Sequence, residues 1–254
     1  MLAALGWGAL ATSSLLWGGW LACRLSLSRR SLGLLMAFGA GTLISAVSFE
    51  LVFEAVLRSR GSGVPAIGFF LGALSFYLCD RGITAIERRH QRVSAEAAGQ
   101  ASNLAVPMVL GIILDGIPES VVIGLGLLEH NAISVAMLVA IFLSNLPEAV
   151  AGTVGMKASG WTARQILLLW LVIALLCAGA SALGYGLFSD APKAWLSLIQ
   201  AFAGGAILVM LTNSMIPESY EHAGKLAGLF TVIGFFLSVS IAVAEAGQAL
   251  ASSR

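Results

Sequence analysis

Five residues in two short stretches hold the polar chemistry at the centre of an otherwise apolar chain. Leu114–Leu127 reads LDGIPESVVIGLGL, and twenty-nine residues further on Leu143–Met156 reads LSNLPEAVAGTVGM. Each sets a Pro-Glu pair, Pro118-Glu119 or Pro147-Glu148, inside an apolar run. A polar residue precedes each acid by four positions: Asp115 before Glu119, and Ser144 before Glu148, with Asn145 three positions before it. Positions i, i+3 and i, i+4 share one face of a helix, so each stretch turns its oxygens to one side. Each proline also removes a helical N–H and frees the carbonyl one turn earlier, Leu114 in the first stretch and Leu143 in the second. Two adjacent helices would thus offer carboxylates, an amide, a hydroxyl and spare carbonyls at mid-span.

Between Arg92 and Lys157 there is no Lys or Arg, and the one His is His130. A carboxylate buried in an apolar medium is paired, protonated or bound to a metal. The surrounding sequence supplies no cation, so either protons or a metal ion must do so.

The elements that would position these residues follow from composition. Of 254 residues, 58% are hydrophobic and 11% charged, against about 25% charged in a soluble domain. The chain therefore reads as an all-α integral membrane protein forming a single domain over residues 1–254. At about 20 residues per span, it has room for eight transmembrane helices, near 2–23, 31–57, 64–87, 103–128, 131–156, 162–188, 192–214 and 226–250. The near-zero net charge and the lack of a basic tract give no reason to expect a nucleic-acid partner. Cys23, Cys79 and Cys177 show no C-x-x-C spacing, so neither disulfides nor a thiolate zinc site is indicated. The start lacks a basic region ahead of its apolar run and reads as a first span. Alternate loops carry ten Lys or Arg against four in the other set and the C-terminus, which places both termini outside the cytoplasm. The expected location is the cell membrane, with the lipid bilayer as partner. Glu87–Ser102 is the one substantial polar loop and reads as a cytoplasmic connector. Asp80 and Arg81 are expected to cap the third span. Glu54, four residues before Arg58, is placed either to attract cations to an entrance or to pair with that arginine.

An internal repeat is visible. Ala37–Ala55 reads AFGAGTLISAVSFELVFEA and Ala201–Ser219 reads AFAGGAILVMLTNSMIPES, and IGFFL follows each, at Ile67–Leu71 and Ile233–Leu237. Spans two and three thus match spans seven and eight, five spans apart, and an odd shift inverts the topology, as in many secondary transporters. The two Pro-Glu spans form a second inverted pair at the centre. At the end of span seven, Glu218, Glu221 and His222 read either as a metal entry or exit point or as a solvated helix end.

This order of eight spans with Pro-Glu motifs on the fourth and fifth resembles the ZIP (Zrt/Irt-like) divalent metal transporters. AFGAG in span two, LCDR closing span three and MIPESYEHAG at the end of span seven belong to the same likeness. The resemblance implies a 3+2+3 inverted-repeat arrangement of the helices, a metal site between spans four and five, and a homodimer as an option. It also marks departures. Asp115 stands where the family's span-four motif has His, and Gly116 replaces its Asn; Pro118 and Glu119 are retained. In span five Ser144 takes the first motif position, while Asn145, Pro147 and Glu148 are retained. Inside span six the chain offers no Asp, Glu or His, and Cys177 is its one thiol. Imidazole suits zinc, whereas carboxylate and amide oxygens suit manganese, magnesium or calcium. A site of Asp115, Glu119, Asn145 and Glu148, with Ser144 beside them, is therefore expected to be single and harder in character than the family's.

The resemblance implies a secondary transporter that carries a divalent metal ion, zinc or a harder ion such as manganese or iron, towards the cytoplasm. The metal is the transported substrate and no resident cofactor is expected. Gly124, Gly126, Gly152 and Gly155 are expected to let the two central helices approach closely. No ATP-binding motif is present, and no H-E-x-x-H or G-x-S-G suggests an enzyme. The alternative is a ZIP-like protein that has lost transport and serves as a binding or regulatory protein. The two readings differ on whether Asp115 faces Glu148 across the helix pair.

Overall fold

The computed structural model of the chain describes residues 1–96, 105–130 and 134–252, and every element in them is helical. In order they are α1 (Leu2–Arg24), α2 (Arg29–Ala46), α3 (Glu54–Arg58), α4 (Val64–Glu96), α5 (Ala105–His130), α6 (Val135–Ala158), α7 (Ala163–Phe188), α8 (Lys193–Met210), α9 (Ile216–Ala223) and α10 (Leu226–Ser252). A π-helical stretch, Val47–Phe53, joins α2 to α3, and another, Leu211–Met215, joins α8 to α9. Seven helical stretches among the described residues are long and apolar enough to cross a bilayer. α1 has 23 residues, which matches the length a span needs. The chain is a multi-helix, membrane-embedded protein.

Local sequence sets the helix starts. Ser28 caps α2 by accepting from the Ser31 amide at 3.0 Å, and Ser134 caps α6 by accepting from that of Met137 at 3.2 Å. Thr162 and Gln165 form a reciprocal capping box at α7. The apolar span Val64–Ile86 matches the expected third span, but its helix runs on past it. α4 continues to Glu96 through the first part of the polar connector, so Asp80 and Arg81 lie inside the helix and cap nothing. No glycine or proline follows Gly82 within it to stop propagation. Residues 97–102 of the connector lie outside the described residues.

The helices pack in two sets. α1 packs on α6 and α7, and α5 on α7; in the other set α2 packs on α10 and α4 on α8. Glycine permits the second set's close approaches. A Cβ at Gly41 would overlap the Thr231 carbonyl of α10, and one at Gly205 would overlap the Phe69 carbonyl of α4. The sets meet where α6 lies against α2 and where α5 lies against α8.

The central glycines therefore act differently from expectation. Gly124 packs against the backbone of Ser181 and Tyr185 on α7, Gly152 lies against the Trp170 ring, and Gly126 has nothing within 4 Å of its missing Cβ. Gly124 seats α5 and Gly152 seats α6 on α7, and Gly126 makes no close approach to either neighbour. Trp170 is fully buried and donates from Nε1 to Thr153 Oγ1 at 2.8 Å, which fixes the α6–α7 seam beside the Pro-Glu level.

Candidate functional site

Pro118 and Pro147 sit inside unbroken helices, so the i, i+4 geometry read from the sequence holds across both motifs. α5 brings Asp115 and Glu119 to the level at which α6 brings Ser144, Asn145 and Glu148. Glu119 is 1% exposed, and its Oε1 accepts from Ser144 Oγ at 3.4 Å. Ser144 is fully buried, and its one hydroxyl hydrogen is shared between that carboxylate and the Ile141 carbonyl at 3.0 Å. Asn145, 3% exposed, lies beside the same carboxylate. Glu119 Oε2 is buried and has no hydrogen-bond partner.

Asp115 and Glu148 face one cavity of about 260 Å³, whose opposite wall carries Ser214, Met215 and Glu218. Glu148 interacts electrostatically with Asp115, Glu119 and Glu218, and Asp115 with Asp80. Asp80 in turn accepts from Asn213 Nδ2 at 3.4 Å. Among the described residues no Lys, Arg or His forms an ion pair with Asp115, Glu119 or Glu148. The lack of a nearby cation in the sequence thus extends to the folded neighbours.

The freed carbonyls are less available than the sequence suggested. Leu143 O points at α2, where a Cβ on Gly39 would stand 2.9 Å from it. Among the described residues, no three His, Cys, Asp or Glu side chains converge on one point as placed. The carboxylates are spread along a groove: Glu119 is turned towards Ser144, while Asp115 and Glu148 stand at the cavity. A cation there would be held by re-aimed side chains and water.

One further residue reaches the site. Cys177 on α7 is 3% exposed, and its Sγ lies 2.9 Å from where a Cβ on Gly116 would be. It also interacts with Ser120, Glu119 and Glu148. Its sulfur fills the space that a larger residue at 116 would need, which explains the glycine within the motif.

At the far end of the cavity Glu218 lines the wall, and His222 Nδ1, four residues on, is buried without a partner. Glu221 points to solvent. At the opposite end of the bundle Glu54 pairs with Arg58 at 3.6 Å, which makes the pairing alternative the observed one. Comparison of the chain with protein-family models finds no match, and comparison with curated proteins finds none either. The likeness to ZIP transporters accordingly rests on the motifs themselves.

Proposed function

We propose that the chain is a ZIP-like secondary transporter that moves divalent cations across the membrane towards the cytoplasm. Glu119 and Glu148 would clamp the ion from α5 and α6, with Asp115 and Asn145 completing the shell and Ser144 orienting Glu119. The observation that carries this reading is the Glu119 carboxylate, buried with one oxygen unpartnered, beside two more acids and with no basic partner among the described residues. An unpaired group of this kind inside a bilayer is costly and marks an ion pathway by default. That Asp115 and Glu148 share a cavity also favours transport over the incomplete-site alternative.

The 3+2+3 inverted-repeat arrangement, with both termini outside the cytoplasm, belongs to the same proposal. It is supported by the matched packing of α2 on α10 and α8 on α4, the pairs that the 37–71 and 201–237 repeats would exchange. Cys177 modifies the expected metal preference. A thiolate beside carboxylates suits zinc or cadmium as well as harder ions, so the centre is mixed and not purely oxygen.

The test is uptake of zinc, manganese, iron, cobalt and cadmium into proteoliposomes, comparing wild type with Glu119→Ala/Glu148→Ala. Saturable uptake lost in the double variant supports transport through these acids. The second reading, a binding or regulatory membrane protein, is favoured by the lack of three convergent ligands among the described residues. Well-folded protein that binds metal but transports no ion would select it.

A further inference from the structure

Each end of the bundle has a cavity, and the two are built from matching residues. A shift of 164 positions takes Ala37 to Ala201 and Val47 to Leu211, where the two π-helical stretches begin. The same shift takes Glu50, Leu51 and Glu54 to Ser214, Met215 and Glu218, and Met36 to Gln200. Gln200, Glu50, Leu51 and Glu54 line a tight cavity of about 30 Å³, and their counterparts line the roomier cavity of about 260 Å³ that reaches Asp115 and Glu148. The matched positions recur in both walls, so the two cavities are the two vestibules of one repeated design.

The repeat breaks at the next turn. The matched glutamates Glu54 and Glu218 are each followed four residues later by a basic side chain, Arg58 and His222 respectively. Arg58 Nη1 donates to Gln200 Oε1 at 3.1 Å, its Nη2 lies 3.6 Å from Glu54, and Gln200 Nε2 donates to the Glu50 carbonyl at 3.0 Å. The guanidinium therefore bridges two residues of the tight vestibule's lining, Gln200 and Glu54. Arginine stays charged under all conditions a protein meets, whereas histidine can be neutral and can itself bind a metal.

We propose that Arg58 is a tethered counter-cation: it holds the place of the metal ion in the Glu54 vestibule, and an entering ion must displace its guanidinium. His222 gives the Glu218 vestibule no permanent charge of this kind. One inverted design would then present different apparent affinities at its two ends. This inference rests on the transport reading above and adds the residue that sets the affinity at one mouth.

The test is the concentration dependence of manganese uptake by proteoliposomes with the Glu54 end outward, selected by protease access to a C-terminal tag. Arg58→Gln should lower the KM by about fivefold, the scale expected for removing one competing partly exposed charge. Arg58→Lys, which keeps the charge, should stay near wild type. Should Arg58→Gln fail to fold, Arg58→His at pH 8 carries the same prediction, because imidazole is mostly neutral there. A KM unchanged in the neutral variants, or raised alike in the neutral and charged ones, would make Arg58 a structural staple and overturn the proposal. A wild type that carries no ion removes the transport reading and this inference with it, an outcome visible before any variant is measured.

Discussion

Ser144 Oγ donates to Glu119 Oε1 at 3.4 Å, a hydrogen bond that joins the two Pro-Glu helices at the level of their acids. It links α6 to the most deeply buried carboxylate of the centre and leaves the other oxygen of that carboxylate open. Replacing Glu119 by Gln keeps the shape and an oxygen for Ser144 to reach, and removes the charge a cation needs. Glu119→Gln is expected to retain a monodisperse fold and a similar melting temperature while saturable metal uptake disappears. A variant that transports normally would remove Glu119 from the centre.

Ser144→Ala tests the orienting role separately. Removing a group that aims a metal-binding carboxylate typically weakens metal affinity about 10–100-fold, while the net loss of one buried hydrogen bond costs about 1 kcal/mol. Isothermal titration with zinc should therefore show a large loss of affinity beside a small shift in melting temperature. A shift in stability with affinity unchanged would mark Ser144 as a packing residue only.

Cys177 makes a spectroscopic prediction. If its sulfur reaches the metal, cadmium binding to wild type will produce a thiolate-to-metal absorption in the ultraviolet. Cys177→Ser should abolish that band and move the uptake ranking from cadmium and zinc towards manganese, since a hydroxyl is the harder ligand. A band that survives in Cys177→Ser would have to come from Cys23 or Cys79.

Much of this centre was legible in the sequence, for a physical reason. Helical periodicity alone places Asp115 with Glu119 and Ser144 with Glu148, and both proline-bearing helices keep that periodicity. The identity of the neighbour was not legible. Gly124 promised a close approach, but periodicity cannot say that its partner is α7 and not α6. Cys177 was likewise hidden, because its helix reads as uniformly apolar until α7 is folded against α5. The π-helical stretches at Val47 and Leu211 leave no local mark in composition, and only the repeat ties them together.

Glu245 offers a test of how α6 is held. From α10 its carboxylate accepts the Val135 amide at 2.7 Å and the Ala136 amide at 3.1 Å, which are among the unpaired donors at the start of α6. A carboxylate there also complements the positive end of the helix. Glu245→Ala should cost about 1 kcal/mol, the usual value for a lost cap, and should speed hydrogen exchange at Val135 and Ala136 before any other part of α6. Uptake should slow as well, because α6 carries Glu148. Unchanged exchange at these two amides would show that Glu245 does not hold the start of α6.

Two glycines that look alike in the sequence should respond oppositely to a methyl group. Gly205 on α8 faces the Phe69 carbonyl of α4 so closely that a Cβ would overlap it, with Ala73 N at 3.1 Å as well. Both neighbours are backbone, which cannot rotate away as a side chain can, so the two helices must separate. Overpacking of this kind costs about 1–3 kcal/mol, and Gly205→Ala is expected to lower the melting temperature in detergent by several degrees. Gly126 on α5 has nothing within 4 Å of its missing Cβ. There the added methyl meets open space and the gain in helix propensity, about 1 kcal/mol, stands unopposed. Gly126→Ala should therefore hold or raise the melting temperature. Equal destabilisation by both substitutions would mean that α4 and α8 are not packed at Gly205 as described.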